Sequence, residues 1–167
     1  SFPTRRSSDL ITYGIAPSGA RNQTAKIQKF LVPALSLKTR VSLVKNISAG
    51  KTLSYGHTFV APGAMRIATL TAGYGDGYHR AISGRGSVLI HEKMCPILGR
   101  ITMDQMIVDV SSAEGVSSGD EAVLIGKQGK EEISAALVAE WADTIPWEVL
   151  TSISHRVRRI YLGITAS

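Results

Sequence analysis

Short apolar runs, each closed by a turn rich in glycine, serine or asparagine, follow one another from residue 25 to about residue 130 of this 167-residue chain. Within the runs apolar and polar residues alternate, as in LSLKTRVSLV, MRIATLTAGY, MDQMIVDV and DEAVLIG. A period of two indicates strands with one buried face. Many short strands joined by such turns predict a mainly β domain, built as a Greek-key-like β-barrel or β-sandwich.

The period changes in the last third of the chain. SVLIHEKMCPILG still predicts a hairpin with Glu92 and Lys93 near its tip, but SAALVAEWADTIPWEVLTSI has helical spacing. Ser134 suits the N-cap of a first helix, and Pro146 suits the first turn of a second. The final RVRRIYLG alternates again, which predicts a last strand. The expected fold therefore has two short helices near the C-terminus.

Charge and cysteine content limit the classes of protein to consider. The formal net charge is +6, and the basic residues are spread rather than clustered, with Arg156, Arg158 and Arg159 as the densest group. A basic excess can attract nucleic acid or an anionic ligand, but this spacing favours a solvated surface. A single cysteine, Cys95, excludes an internal disulfide and fits a reducing, cytoplasmic compartment. No apolar run reaches the length of a membrane span, and no secretory signal pattern opens the chain.

The first ten residues have the character of an artefact. SFPTRRSSDL has neither helical nor strand periodicity, and it corresponds codon by codon to TCT TTC CCT ACA CGA CGC TCT TCC GAT CT plus one base. That DNA resembles a sequencing-library adapter read in frame. Because of this resemblance, we expect residues 1–10 to be foreign and the natural sequence to continue upstream of Ile11. A foreign segment carries no information about the fold.

The segment AGYGDGY is the first candidate for a ligand-lining loop. Its three glycines permit left-handed backbone and close approach around Tyr74, Asp76 and Tyr78. It lacks the lysine of a phosphate-binding P-loop, and one aspartate is too few for a calcium cage. From spacing alone, a structural turn is the simpler interpretation.

Two further segments carry polar groups in apolar surroundings. In GRITMDQ, a strand would place Ile101 and Met103 on one face, with Asp104 satisfying local backbone groups and Met103 filling the core. In KTLSYGHTF, a strand would place Tyr55 and His57 on one face, where they could form an acid–base couple or a structural pair. No pattern for a metal site, a nucleophilic triad or a Schiff-base lysine is present.

Four segments, taken in order, resemble the C-terminal domain of bacterial alanine racemase. They are LSYG, AGYGDGY with Arg80, GRITMDQ and PWEVLTSISHRVRRIY. Both letters and spacings match, over about residues 11–162. YGIAPS, residues 13–18, resembles the end of that family's barrel domain. The resemblance implies three segments: residues 1–10 as the adapter, 11–25 as the end of the pyridoxal-phosphate-binding barrel, and 26–167 as the C-terminal β domain.

The resemblance also implies a function. Members of the family are cytoplasmic, pyridoxal 5'-phosphate-dependent isomerases that interconvert L- and D-alanine for peptidoglycan precursors of the cell wall. They are homodimers in which the β domain of one subunit covers the cofactor on the barrel of the other. Two bases, a barrel lysine and a tyrosine of the β domain, stand on opposite faces of the substrate α-carbon. Tyr55 matches that tyrosine, between the small residues Ser54 and Gly56.

The remaining roles come from the same resemblance. Tyr74 would line the substrate entrance, Met103 would offer its backbone N–H to the substrate carboxylate, and Asp104 would fix the loop beside it. The polar corridor leading to the site would contain Asp76, Arg80 and Arg100. His155 stands where many members have a tyrosine at the cofactor phosphate, so its contact is the weakest of these expectations. No metal, nucleic acid or membrane is implied.

Two alternatives remain open at this point. One is a broad-specificity amino-acid racemase or a related decarboxylase, although no decarboxylase-like CDG segment is present. The other is a stand-alone β-barrel binding module for an anionic polymer, whose binding would depend on salt and not on Tyr55. Under the racemase interpretation, this chain alone is expected to be inactive, because the cofactor lysine and the main phosphate site lie in the barrel.

Overall fold

The computed structural model describes Gly14 and residues 31–162. The adapter-like segment 1–10 lies outside the described residues. So does the expected barrel segment 11–25, apart from Gly14, and so does the start of the expected β domain.

The described part of the chain is mainly β, as expected. Its strands are β1 (Leu37–Ile47), β2 (Thr52–Leu53), β3 (Phe59–Val60), β4 (Met65–Leu70), β5 (Ser87–Ile90), β6 (Lys93–Leu98), β7 (Met106–Asp109), β8 (Glu121–Gln128) and β9 (Glu131–Ile133). Two helices follow, α1 (Ala135–Ala142) and α2 (Pro146–Ser152). Three single 3-10 turns lie at Tyr55–His57, Tyr74–Asp76 and Arg80–Ile82.

Strand pairing closes the main sheet on itself. The antiparallel order is β1-β4-β7-β6-β5-β8-β9, and β1 also pairs with β8, so six strands form a ring and β9 extends from β8. Within the ring, β5, β6 and β7 are consecutive neighbours while β4 lies beside β7, which is a Greek-key arrangement. The predicted barrel with Greek-key-like connections is confirmed.

The long first strand makes this closure possible. Its first half pairs with β8 and its second half with β4, and the register shifts once in each pairing, between Leu37 and Lys38 and between Val41 and Leu43. Bulges bend a strand and increase its twist, which allows one strand to serve two neighbours at a corner of the barrel.

Local sequence signals account for the two helices. The Ser134 side chain accepts a hydrogen bond from the Leu137 N–H at 3.1 Å, which caps α1 as predicted. Pro146 occupies the first turn of α2, directly after its N-cap, Ile145. The ring of Trp141 packs over the barrel at Gly86, where an added Cβ would lie 3.0 Å from Trp141 Cε3.

The core lies inside the barrel and continues under the helices. In β8 the run Ala122–Ile125 is buried without alternation, as expected of a strand covered on both faces. Cys95 belongs to this core, and burial, with the charge of Asp109, raises the pKa of its thiol to about 11. Tyr78 is also fully buried, so this tyrosine of AGYGDGY anchors the loop instead of lining a ligand site.

At the C-terminus and in the β5–β6 hairpin the structure differs from the prediction. The C-terminal residues 157–162 form no strand, although RVRRIYLG alternates. The β5–β6 hairpin turns at His91 and Glu92, both with positive φ (51° and 59°), one residue before the predicted tip. Within the described residues, no helix has the length and apolar character needed to cross a membrane, and no cluster of metal-ligating side chains occurs.

Candidate functional site

Tyr55 lies in a tight turn and not in a strand, which corrects the sequence-based prediction. The hairpin of β2 and β3 is joined by the 3-10 turn Tyr55–His57, and the residues around Tyr55 have left-handed backbone: φ is 66° at Ser54, 73° at Gly56 and 51° at His57. A left-handed φ breaks strand geometry. The turn carries the Tyr55 side chain outward, where 72% of the residue's surface is exposed. We call residues 54–58 the tyrosine turn.

Ser54 fastens the tyrosine turn to a neighbouring loop. Its Oγ accepts a hydrogen bond from the Arg100 N–H at 2.8 Å and donates one to the Arg100 carbonyl at 2.7 Å. The Arg100 guanidinium then passes over Gly56, where an added Cβ would lie 3.2 Å from Arg100 Nη1. The small residues beside Tyr55 therefore do more than leave space, since Ser54 holds Arg100 and Gly56 admits its side chain.

Residues 72–78, the glycine loop, pack directly against the loop that contains Met103. The N–H of Tyr74 donates to the Thr102 carbonyl at 3.0 Å, and the N–H of Gly75 donates to the Met103 carbonyl at 2.9 Å. Gly73 allows this approach, because a Cβ there would lie 2.2 Å from the Thr102 carbonyl oxygen. The glycines of AGYGDGY thus permit backbone-to-backbone contact, and Tyr74 remains 46% exposed.

Residues 99–105, the methionine loop, are irregular and not a strand, so the prediction that Ile101 and Met103 share one face of a strand is wrong. The N–H and hydroxyl of Thr102 both donate to the Gln105 carbonyl at 2.9 Å, which closes a turn with Met103 and Asp104 at its tip. Met103 is 52% exposed and not a core residue. Within residues 31–162, the backbone N–H of Met103 donates to no acceptor.

Residues 153–162, the C-terminal segment, complete the arrangement. The Ser154 N–H donates to the Asp76 carbonyl at 3.1 Å. The Arg156 side chain reaches two carboxylates, with Nη2 at 2.5 Å from Asp104 Oδ1 and Nε at 3.6 Å from Asp76 Oδ1. Asp104 thus pairs with a distant arginine. Its spacing in the sequence had suggested local backbone groups as partners instead.

The structure brings most of the predicted residues together. Hydrogen bonds and ion pairs link the tyrosine turn, the glycine loop, the methionine loop and the C-terminal segment, and these carry Tyr55, Tyr74, Asp76, Arg100, Met103 and Asp104. The turn that carries Arg80 joins the same group, since the Ile101 N–H donates to Ser83 Oγ at 3.0 Å. Within the described residues, no hydrogen bond or ion pair connects the side chains of Arg80 and His155 to the others.

His57 takes a structural role. It is exposed, and its Nδ1 lies 2.9 Å from the Thr52 hydroxyl at the base of the same hairpin. Because the tyrosine turn is not a strand, the prediction that His57 shares a face with Tyr55 as an acid–base couple loses its geometric basis.

Sequence reasoning missed two residues of this site. Ser54 was noted only for its small size, and Arg156 only as a member of a basic group. The partners of Arg156 are 80 and 52 positions away in the chain, so no local spacing could reveal them. For Ser54, a polar residue before an exposed tyrosine was a weak signal for a side chain that binds backbone groups.

The assembled face is open and chemically mixed. It presents the Tyr55 hydroxyl, which makes no hydrogen bond within residues 31–162, the Tyr74 ring, the free Met103 N–H and the cationic Arg100 side chain. Asp76 is drawn inward, since its Oδ2 accepts a hydrogen bond from the Gly73 N–H at 3.0 Å. Such a face can bind a small carboxylate and move a proton when a second surface covers it.

Comparison with known proteins finds one family. The family model described as "Alanine racemase, C-terminal domain" matches residues 34–161. The alanine racemase of Carboxydothermus hydrogenoformans is 49% identical over 153 residues, which cover 92% of this chain and 41% of that protein. The alanine racemase of Symbiobacterium thermophilum is 52% identical over 136 residues, 81% of this chain and 36% of that protein.

Solved structures agree in fold. The alanine racemase of the D-cycloserine-producing Streptomyces lavendulae superposes with a TM-score of 0.83 at 40% identity, over 93% of this chain and 40% of that one. The Bacillus anthracis alanine racemase with bound L-Ala-P gives a TM-score of 0.78 at 40% identity, over 89% of this chain and 37% of that one. This chain therefore spans about two fifths of the length of the proteins it matches.

Proposed function

The chain belongs to the alanine racemase family, as its C-terminal domain, and on that premise we propose that it is part of an enzyme that interconverts L- and D-alanine, with Tyr55 as one of two bases. The observation that carries the proposal is the presentation of Tyr55. A turn between Ser54 and Gly56 holds it 72% exposed, and Ser54 ties that turn to Arg100 of the loop that contains Met103. Left-handed backbone at the non-glycine residues Ser54 and His57 costs free energy, and such strain clusters at functional sites.

The described residues suit a surface that covers pyridoxal phosphate, and not a site that encloses it. Tyr55, Tyr74 and Met103 are all exposed, and the Arg156 guanidinium is engaged by two carboxylates. The face therefore offers no enclosed cationic cradle for a phosphate. We propose that the cofactor is held by the barrel of another subunit, with His155 as this chain's own contact to the phosphate. When bound, pyridoxal phosphate serves as an electron sink that acidifies the hydrogen on the substrate α-carbon.

Tyr55 would move a proton at its phenolic oxygen. In the L-to-D direction, Oη takes the α-hydrogen of L-alanine, and the barrel lysine supplies a proton to the opposite face. In the reverse direction the two groups exchange roles. Within residues 31–162, Tyr55 Oη makes no hydrogen bond, so it is available to a substrate from outside this domain. General base catalysis of this kind typically contributes about 10²–10⁴-fold to a rate.

The other residues would bind and orient the substrate. The Met103 N–H donates to the substrate carboxylate, and Asp104 holds the tip of the methionine loop through Arg156. Tyr74 lines the entrance beside Tyr55, while Asp76, Arg80 and Arg100 belong to the polar corridor. Because the methionine acts through its backbone, its side chain need not take part in the chemistry.

The wider setting follows from the same premise. We propose that the enzyme is a cytoplasmic homodimer in which this domain, residues 26–167, covers the cofactor face of the partner's barrel, with residues 11–25 as the end of its own barrel. The exposed tyrosine turn and methionine loop would lie at that interface. The D-alanine produced would supply peptidoglycan precursors.

We expect the chain by itself not to racemise alanine. Under the proposal, the second base and most of the cofactor site belong to the barrel, so residues 11–167 with added pyridoxal phosphate and L-alanine should produce no D-alanine. A chiral assay of product, run beside the full-length protein and preceded by circular dichroism to show that the chain is folded, makes the measurement. Turnover by the folded chain would mean that both bases lie within it, against the proposal.

A further inference from the structure

Arg156 joins two carboxylates that belong to different loops of the site. Its Nη2 lies 2.5 Å from Asp104 Oδ1 in the methionine loop, and its Nε lies 3.6 Å from Asp76 Oδ1 in the glycine loop. The hydrogen bond to Asp104, with the charges of Asp76 and Asp104, raises the pKa of the guanidinium. Two separate nitrogens serve the two partners, which the planar fork of arginine permits and the single ammonium of lysine does not.

The glycine loop provides the space that the guanidinium occupies. A Cβ added at Gly75 would lie 2.5 Å from Arg156 Nη1. Asp76 also accepts the Gly73 N–H through Oδ2, at 3.0 Å. Arg156 is thus tied through Asp76 to the backbone of one loop and through Asp104 to the tip of the other.

The position of Asp104 makes this contact consequential. It directly follows Met103, whose backbone N–H has no acceptor within residues 31–162. In the proposed function that N–H binds the carboxylate of alanine. An unpaired Asp104 carboxylate beside it would repel a bound anion, and an unanchored tip would let the N–H move away from its aligned position.

We propose that Arg156 is a positioning residue for the substrate carboxylate: it neutralises Asp104 and fixes the Met103 N–H by bridging Asp104 to Asp76. The inference rests on the proposed function and assigns a task to a residue outside the bases and the corridor. Arg156 touches neither substrate nor cofactor in this account, and it acts through Asp104.

A purely structural ion pair would behave differently. Exposed pairs contribute little to folding stability, and the Arg156 side chain is 42% exposed. If the bridge served only the fold, its loss would leave the kinetics almost unchanged. If it aligns the Met103 N–H, its loss weakens substrate binding while Tyr55 and the lysine remain in place, so KM changes more than kcat.

The test uses the full-length enzyme and measures KM and kcat for L-alanine in Arg156→Ala, Asp104→Asn and the double variant. We expect KM to rise about 10-fold in Arg156→Ala, with a smaller change in kcat. The double variant should be no worse than Arg156→Ala, because residues that act through one another are not additive. Lys127→Ala is the matched control, since it removes another exposed ion pair, with Glu132 at 3.3 Å, and it should keep the wild-type KM.

Arg156→Lys gives a second, milder variant should Arg156→Ala fail to fold. It keeps the charge but replaces two separately aimed nitrogens with one and cannot reproduce the planar bridge, so we expect a several-fold rise in KM with an unchanged melting temperature. The inference is overturned if either folded arginine variant keeps the KM of Lys127→Ala, or if the effects on KM multiply in the double variant. A wild-type enzyme that does not racemise alanine would instead overturn the proposed function, so the two failures are distinguishable.

Discussion

Replacing Tyr55 with phenylalanine in the full-length protein is expected to reduce racemisation of L-alanine by about 10²–10⁴-fold, the usual contribution of a positioned base. The substitution removes one oxygen from a side chain that is 72% exposed and makes no hydrogen bond within residues 31–162. Folding should therefore be unaffected, and the loss should appear in kcat. Tyr161→Phe, which removes a hydroxyl from a residue that is 76% exposed in the C-terminal segment, is the matched control.

Exchange of the α-hydrogen with solvent deuterium makes the same variant more informative. If Tyr55 removes the hydrogen from L-alanine and the lysine removes it from D-alanine, the phenylalanine variant should lose exchange from L-alanine and keep exchange from D-alanine. Nuclear magnetic resonance of each enantiomer in D₂O measures both rates. Equal loss from the two enantiomers, or near-normal racemisation, would contradict the assignment of Tyr55 as the base for L-alanine.

A second large effect is expected from Gly73→Ala. A Cβ at this buried glycine would lie 2.2 Å from the Thr102 carbonyl oxygen and 2.4 Å from that of Met103, so the glycine loop and the methionine loop must move apart. Forcing a methyl group into a packed site typically costs about 1–3 kcal/mol. The backbone of Gly73 is extended and accessible to any residue, so the effect comes from the contact and not from backbone strain.

Gly63→Ala is the control for that substitution. No atom lies within 4 Å of its Cβ position, so stability and activity should stay as in the wild type. For Gly73→Ala we expect faster hydrogen exchange of the Tyr74 and Gly75 amides, which donate to the methionine loop, together with a raised KM for alanine. Unchanged exchange and KM in a folded Gly73→Ala enzyme would show that the close packing of these loops is not what places Met103.

Regular elements were predictable because their signals are local. The alternation in LSLKTRVSLV and MRIATLTAGY leads to β1 and β4, and Ser134 and Pro146 begin the two helices where expected. The sequence predicted the class of fold, a β-barrel or β-sandwich, but it did not show that the strands close into a ring. Its closure depends on the register shifts of β1, which are set by pairing with two distant strands.

Irregular segments were predicted less well, and the reason is physical. The tyrosine turn and the methionine loop both alternate like strands, but left-handed backbone at Ser54 and His57 breaks the first, and the hydrogen bonds of Thr102 with Gln105 close the second. Residues 157–162 also alternate but form no strand, and within the described residues they pair with none of the strands. Tertiary contacts override local pattern at such places.

The site itself was found by resemblance and not by local rules. Spacing alone favoured structural interpretations of AGYGDGY and GRITMDQ, and the packing partly agrees, because the glycines serve loop contact and Tyr78 is core. The residues that bind these loops together, Ser54 and Arg156, have partners at least 46 positions away. Their contribution could be recognised only in three dimensions.

The most direct test of the central claim, that Tyr55 serves the cofactor site of the other subunit, is subunit mixing. Full-length Tyr55→Phe is mixed with a variant lacking the cofactor lysine, after dissociation and reassociation of the dimers. Each parent should be nearly inactive. Random pairing makes half of the dimers mixed, and each of these regains one intact site of two, so the account predicts recovery of about a quarter of the wild-type activity. No recovery in dimers proven to have exchanged would mean that Tyr55 and the lysine act within one subunit, and the account would be wrong.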